Sequence, residues 1–219
     1  MEKRVIILIP AYNPEKELVE IVKKLQANKI IVVNDGSEST KYFEEIKQYC
    51  EIINNEKNMG KGVALKRGFT YIIEKYPNVH GVVTADADGQ HLVDDIEKIK
   101  RTLQKSESKI VLGTRNFKEK QVPIINKVGN IFISYVFYRK TKVKINDTQT
   151  GLRGIPKKYL NEIIKIPGER YEYEINQLKF FAKNVEIVQV KIATVYSKKI
   201  KSSFKRIKDS IKVLKAMSK

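Results

Sequence analysis

The sequence predicts an α/β fold, a single domain with a central, mostly parallel sheet flanked by helices. Three observations predict it. Short β-branched apolar runs alternate with stretches whose apolar residues recur at helical spacing, as in βαβ units joined by right-handed crossovers. The runs are continuously apolar, as expected of parallel strands covered on both faces. Turns rich in Asp, Asn and Gly follow several of them, at the strand ends where open α/β sheets place ligands. The chain of 219 residues, 42% hydrophobic and 31% charged, is long enough for a sizeable core.

Val5 to Ile9 is the first strand, closed by Pro10-Ala11-Tyr12-Asn13-Pro14. Pro14 suits the first turn of a helix, where its missing N–H costs nothing. Leu18, Ile21, Val22 and Leu25 then recur at helical spacing. Ile30-Ile31-Val32-Val33 is a second strand, ended by the turn signal Asn34-Asp35-Gly36-Ser37. Phe43 and Ile46 mark a short helix and Ile52-Ile53 a short strand. A helix from about Gly62 carries Val63, Leu65, Phe69, Ile72 and Ile73 and stops near Pro77. Val82 to Ala85 is a strand, Val93 to Leu103 a helix with Ile96, Ile99 and Leu103 on one face, and Ile110 to Leu112 a strand. After about residue 115 the pattern loosens.

The formal charge of +18 implies an anionic partner: nucleic acid, an acidic membrane face or phosphorylated substrates. A lysine-rich proteome accounts for part of it. The basic residues form no recognisable nucleic-acid module, so no nucleic-acid partner is expected; a basic nucleic-acid-binding protein is the non-enzyme alternative. Cys50 is the sole cysteine, which excludes an internal disulfide and fits a reducing compartment. The apolar run before Pro10 is too short for a signal peptide, so a cytoplasmic protein is expected. No run approaches the roughly 18 apolar residues of a membrane span.

Asp86-Ala87-Asp88-Gly89-Gln90-His91 carries the chemistry. Its two carboxylates, two residues apart, follow an inner strand. Mg²⁺ is usually held by one or two carboxylates together with substrate phosphates, and Asp88 with the amide oxygen of Gln90 would supply the protein's share. The plain alternative is an acidic turn that caps the next helix. Lys61, between Gly60 and Gly62 at a helix start, is placed to meet an anion or is an ordinary exposed lysine. Asn58-Met59-Gly60-Lys61-Gly62-Val63 lacks the first glycine and the Ser/Thr of a P-loop, and no G-x-G-x-x-G follows the first strand. Arg115 and Arg153 can make bidentate bonds to phosphate oxygens or serve in surface ion pairs. His91 reads as structural and His80 as a surface turn residue.

Ile9-Pro10-Ala11-Tyr12-Asn13, Val33-Asn34-Asp35-Gly36-Ser37, Asn58-Met59-Gly60-Lys61-Gly62, Asp86-Ala87-Asp88-Gly89-Gln90-His91 and Gly113-Thr114-Arg115 occur in that order. Asp147-Thr148-Gln149-Thr150-Gly151-Leu152-Arg153 and the basic end from Ser203 to Ser210 extend the set. It resembles the family 2 glycosyltransferases, and among them the dolichyl-phosphate-mannose-synthase-like enzymes that load a sugar onto a polyprenyl phosphate.

The resemblance implies one GT-A-type nucleotide-sugar-binding domain over residues 1–200, followed by a basic amphipathic helix over 201–219. It also implies a nucleotide-binding part before about residue 115 and an acceptor-binding part after it. Pro10, Tyr12 and Asp35 would hold the nucleoside of a UDP- or GDP-linked donor, with Glu15 replacing an acidic residue that the family often has where Pro14 stands. Asp86 would face the ribose or the metal, while Asp88 and Gln90 coordinate Mg²⁺ or Mn²⁺. Arg115 would lie near the phosphates, with Lys61 and Arg153 as further anion contacts. Asp147 is the carboxylate placed to orient the acceptor. Some relatives carry an aspartate where Gly151 stands, and Glu172 and Glu174 are second candidates, or else the solvated face of a helix.

The implied reaction is metal-dependent and inverting, at the inner face of the cell membrane, with a saccharide or cell-wall polymer as the alternative acceptor. Val128 to Tyr138 reads as a buried helix or, by resemblance, an interfacial one. Phe204, Ile207, Ile211 and Leu214 share a helical face, with Lys205, Arg206, Lys208, Lys212 and Lys215 largely off it, the pattern of a helix on an anionic membrane. Relatives often continue into transmembrane helices. With the sequence ending at Lys219, peripheral attachment or a membrane-spanning partner protein is expected.

Overall fold

The strands are β1 (Val5–Ala11), β2 (Lys29–Asn34), β3 (Glu51–Asn54), β4 (Gly81–Thr84), β5 (Ile110–Arg115), β6 (Arg153–Pro156) and β7 (Ile187–Ile192). They form one sheet in the order β3-β2-β1-β4-β6-β5-β7. Every neighbouring pair is parallel except those of β6, which runs antiparallel to both β4 and β5. The helices are α1 (Lys16–Lys24), α2 (Lys41–Ile46), α3 (Lys61–Lys75), α4 (Val93–Lys105), α5 (Ile124–Thr141), α6 (Leu160–Ile163) and α7 (Tyr171–Asn184). This is a computed structural model that describes residues 3–116 and 124–193, and their side chains apart from those of 124–128. The basic helix expected over 201–219 and the boundary at residue 200 lie outside the described residues.

The central strand explains the continuous apolar runs. Successive side chains of a strand point to opposite faces, and both faces of β1 are covered. Ile6 and Leu8 join a core with α3, α6 and α7, whereas Val5, Ile7 and Ile9 join a second core with α1, α2 and α4. All five are buried. Each contributes about 1.5–3 kcal/mol relative to exposure, which makes β1 the strand least tolerant of polar substitution.

From β1 to β5 and from α1 to α4, the elements fall where periodicity predicts them. β6 carries no such signal: Arg153-Gly154-Ile155-Pro156 has four residues and no alternation, and it is a strand because β4 and β5 offer edges on either side. His80, expected as a surface turn residue, is half-buried with its Nε2 3.1 Å from the Leu103 carbonyl.

The register brings the functional loops to one end. Ala11, Asn34 and Asn54 pair across β1, β2 and β3 at their carboxyl ends. The ladder continues beyond the strands: Asp35 N–H donates to Ala11 O, Asn55 N–H to Asn34 O and Ala85 N–H to Leu8 O. Where β6 enters the sheet, Arg153 pairs with Thr84, so the turn before β6 comes to the end of β4.

At the edge, Glu51 of β3 accepts hydrogen bonds from Tyr71 at 2.5 Å and from Tyr76, and pairs with Lys29. Burial pushes its carboxyl up, but Lys29 and the two tyrosines outweigh this and hold it down at about 2. The folded value lies below the ordinary 4.5, so its stabilisation is present above that pH and is lost as pH falls toward 2. Glu51→Gln should therefore flatten the fall of the urea midpoint across this acid range. Parallel curves for the two proteins would show that the cluster is not coupled to folding.

Candidate active site

The first wall of the site is stitched by short side chains. Asn13, with φ of 44°, receives its place from Ser37: its N–H donates to Ser37 Oγ at 2.9 Å, and its Oδ1 accepts the Glu38 N–H at 2.9 Å. Asn34 Oδ1 accepts the Ser37 N–H, closing the turn. Gly36 sits at φ 68°, and a Cβ there would come within 2.2 Å of the Lys57 carbonyl carbon, so only glycine lets this turn meet the 57–58 loop. The carboxylate of Asp35 is buried under that loop and takes the N–H groups of Met59 and Gly60 at 3.0 and 2.8 Å. Tyr12 is 46% exposed beside this wall, and Pro10 is half-buried.

The second wall is a charge cluster around Asp86. Lys61, in the first turn of α3, places Nζ 2.6 Å from Asp86 Oδ1 and 2.9 Å from either carboxylate oxygen of Glu174. His91 Nε2 lies 3.2 Å from Asp86 Oδ2, and the other ring nitrogen, Nδ1, is buried without a partner among the described residues. Burial works against the charge on Asp86, but Lys61 and then His91 hold its carboxyl well below the usual range. Lys61 is likewise disfavoured by burial and carried above the ordinary lysine value by Asp86 and Glu174. Both are charged at neutral pH. The N-termini of α3 and α7 are tied together here, since Val63 N–H donates to Glu169 O at 3.1 Å.

Asp88 stands at the exposed rim of the same loop. Its Oδ1 accepts the Gln90 N–H at 3.1 Å, and its Oδ2 accepts Gln90 Nε2 at 2.8 Å. That orients the amide so that Oε1 is the atom Asp88 leaves unused. Burial, and then repulsion from Asp86, raises the Asp88 carboxyl. A nearby cation would favour the charged form of both carboxylates. Among the described residues no group of three or more His, Cys, Asp or Glu side chains is placed to hold a metal ion by itself. The donors present are oxygens on one loop, which fits a hard divalent cation whose remaining ligands come from substrate phosphate.

Arg115, at the end of β5, is forked onto Asp147: Nε to Oδ2 at 2.7 Å and Nη2 to Oδ1 at 3.1 Å. The Asp147 side chain has no exposed surface and also accepts backbone N–H groups of Arg115 and Gln149. Its geometry is that of a residue that positions Arg115. Arg153 is also interior, 1% exposed, with Nε on Thr150 O and Nη1 on Glu174 O and Gln177 Oε1. Its Nη2 is buried without a partner among the described residues.

Pro10, Tyr12, Asp35, Lys61, Asp86, Asp88, Gln90 and Arg115 thus stand at the carboxyl ends of the parallel strands or on the loops and helix starts that follow them, with Asp147 and Arg153 behind them. Glu174 joins them, whereas Glu172 accepts the N–H groups of Glu169 and Arg170 as a helix cap. Asn55 and Gln177 went unmarked in the sequence. An asparagine pair after a short strand is the only signal for the first, and nothing singles out the second. The stretch 128–138 falls on α5, which buries Ile133 and Phe137 yet exposes Ile131, Phe132, Tyr135 and Tyr138 at 57, 52, 56 and 45%. No described helix is long and apolar enough to cross a membrane.

A family model described as Glycosyl transferase family 2 matches residues 6–164. The chain is 33% identical, over 90% of its length and 87% of the relative's, to a UDP-N-acetylglucosamine–dolichyl-phosphate N-acetylglucosaminyltransferase of Methanococcus voltae. It is 25% identical over 67% of its length to a dolichyl-phosphate beta-glucosyltransferase of Trichomonas vaginalis, of which it spans half. In fold it is similar to glucosyl-3-phosphoglycerate synthase from Mycobacterium tuberculosis, crystallised with Mn²⁺, uridine diphosphate and glucosyl-3-phosphoglycerate. The TM-score is 0.75 at 15% identity, over 98% of this chain and 78% of that one.

Gly151 provides a direct test of the cluster. Its carbonyl accepts the Thr84 hydroxyl at 2.7 Å, and a Cβ on it would lie 2.5 Å from Asp86 Oδ2. An aspartate at this position would set a second carboxylate against Asp86. Gly151→Ala should displace Asp86 and lower kcat/KM at least about tenfold, a barrier change of about 1.4 kcal/mol. Circular dichroism should show the fold retained. Unchanged kcat/KM would show that Asp86 has room to move without consequence.

Proposed function

Since the chain belongs to glycosyl transferase family 2, we propose that it transfers a sugar from a UDP- or GDP-linked donor to a polyprenyl phosphate. The observation that carries this reading is the gathering of two carboxylates, a lysine and a forked arginine at the carboxyl ends of the strands. It is supported by the named acceptor of the archaeal relative that matches along most of both chains. The enzyme is a glycosyltransferase; the acceptor, the donor base and the use of a metal are what is proposed.

Pro10, Tyr12 and Asp35 hold the nucleoside, and Lys61 and Asp86 face the ribose and sugar side of the donor. Asp88 and Gln90, with Asp86, would hold Mg²⁺ or Mn²⁺, which supplies charge neutralisation to the departing diphosphate without proton transfer. The acceptor phosphate oxygen attacks the anomeric carbon from the face opposite the leaving group. The new C–O bond forms as the bond to the nucleoside diphosphate breaks, and the configuration inverts. The phosphate is already anionic at neutral pH, so no general base is needed. Arg115, its fork held by Asp147, brings its fixed positive charge to the diphosphate as the charge there grows. Arg153 supports from within, through the backbone of the turn before β6.

Asp88→Ala should lower turnover on the order of a hundredfold and weaken Mn²⁺-dependent nucleotide binding, because it removes an anionic ligand. Arg115→Lys should recover only part of what Arg115→Ala loses. The assay is release of nucleoside diphosphate from candidate donors in the presence of a short polyprenyl phosphate. Turnover near the parent's in a folded Asp88→Ala protein would remove the metal role.

The polyprenyl tail stays in the bilayer, so the site must work at the membrane surface. The exposed row Ile131, Phe132, Tyr135 and Tyr138 on α5 supports contact there, with the basic C-terminal segment as a second point of attachment. Combined Phe132→Ser and Tyr135→Ser changes should weaken flotation with anionic liposomes, as should removal of residues from Ser203 onward or added salt. Flotation unaffected by any of the three would speak for a water-soluble acceptor.

A further inference from the structure

A carboxylate has about four lone-pair positions for hydrogen bonds. On Asp35 three are filled by the described residues. Oδ1 accepts Asn55 Nδ2 at 2.7 Å and the Met59 N–H at 3.0 Å, and Oδ2 accepts the Gly60 N–H at 2.8 Å. One position remains, on Oδ2. Asp35 is 2% exposed, so whatever reaches it from outside meets a nearly enclosed carboxylate. Asn55 is buried as well, and its amide cannot turn over without loss. Its Oδ1 accepts Arg67 Nη1 at 2.7 Å, so its N–H₂ must face Asp35.

We infer that Asn55, held in orientation by Arg67, is a specificity-determining residue that sets the donor base to uracil over guanine by closing one oxygen of Asp35. Uracil presents one N–H, at N3, between two carbonyls, and one acceptor satisfies it. Guanine presents N1–H and an N2–H side by side, which a carboxylate takes with both oxygens. With Oδ1 closed, one guanine N–H would be left unpaired in a buried place, and an unpaired buried donor is costly. The inference rests on the proposed reading that Asp35 meets the base.

The test measures the affinities of the full chain for UDP, GDP and N3-methyl-UDP by calorimetry with Mn²⁺, in the parent, Asn55→Ala and Arg67→Met. The parent should bind UDP about tenfold or more tighter than GDP and lose a similar factor on N3 methylation, as for one lost hydrogen bond in a buried site. Both variants should narrow the UDP-to-GDP ratio, Asn55→Ala the more. A purely structural role would weaken both nucleotides alike. An unchanged ratio in both variants, with N3-methyl discrimination intact, overturns the role of Asn55 alone. Equal parent affinity for UDP and N3-methyl-UDP overturns the base contact itself and this inference with it, as does a parent preference for GDP.

Discussion

The ion pair between Lys61 and Asp86, 2.6 Å apart, is the interaction on which the site depends. Asp86 is half-buried, and its charge is held by the partners around it. Its partner comes from α3, whose first turn is fixed by the carbonyl of Glu169 ahead of α7. Glu174 of α7 shares the lysine, and His91 meets the other oxygen of Asp86. Gly151 closes the back, where a Cβ would fall 2.5 Å from Asp86 Oδ2. Strand β4, helices α3 and α7 and the turn before β6 therefore meet at one charge. Removing Asp86 would leave Lys61 to Glu174 alone, and removing Lys61 would leave Asp86 with His91 as its remaining partner.

A second layer of charge holds the tools that face outward. Asp147 has no exposed surface and fixes the fork of Arg115. Arg153 ties the turn before β6 to α7 through backbone carbonyls. The residues at the surface, Tyr12, Asp88 and Gln90, are thus carried by loops whose supports are interior. In the proposed reaction this separation would let the groups that meet the substrate adjust while charge placement stays fixed.

Much of this was legible in the sequence, and the rest was hidden for physical reasons. Strands β1, β2 and β4 were visible because burial on both faces demands unbroken apolar runs. Asp86, Asp88 and Asp35 were visible because turns at strand ends concentrate polar residues. Strand β6 was invisible because its state is decided by neighbours distant in sequence. Asp147 was visible as a residue, but its burial and its bond to Arg115, 32 positions away, were not. Asn55 carried no signal of its own, and only the structure distinguishes it from Asn54 at the end of β3. The exposed face of α5 was half-legible: composition marked the segment as apolar, yet which side chains turn outward depends on where α7 packs.

The central claim is that the Asp86–Asp88 loop is where the diphosphate of the donor meets its cation. Anomalous scattering from a crystal of the full chain grown with Mn²⁺ and UDP tests it most directly. The account predicts one strong manganese peak within coordination distance, about 2.2 Å, of an Asp88 oxygen, shared with the diphosphate, with Gln90 or Asp86 beside it. A bound nucleotide at the strand ends with no manganese on this loop, or with manganese held elsewhere, would contradict it.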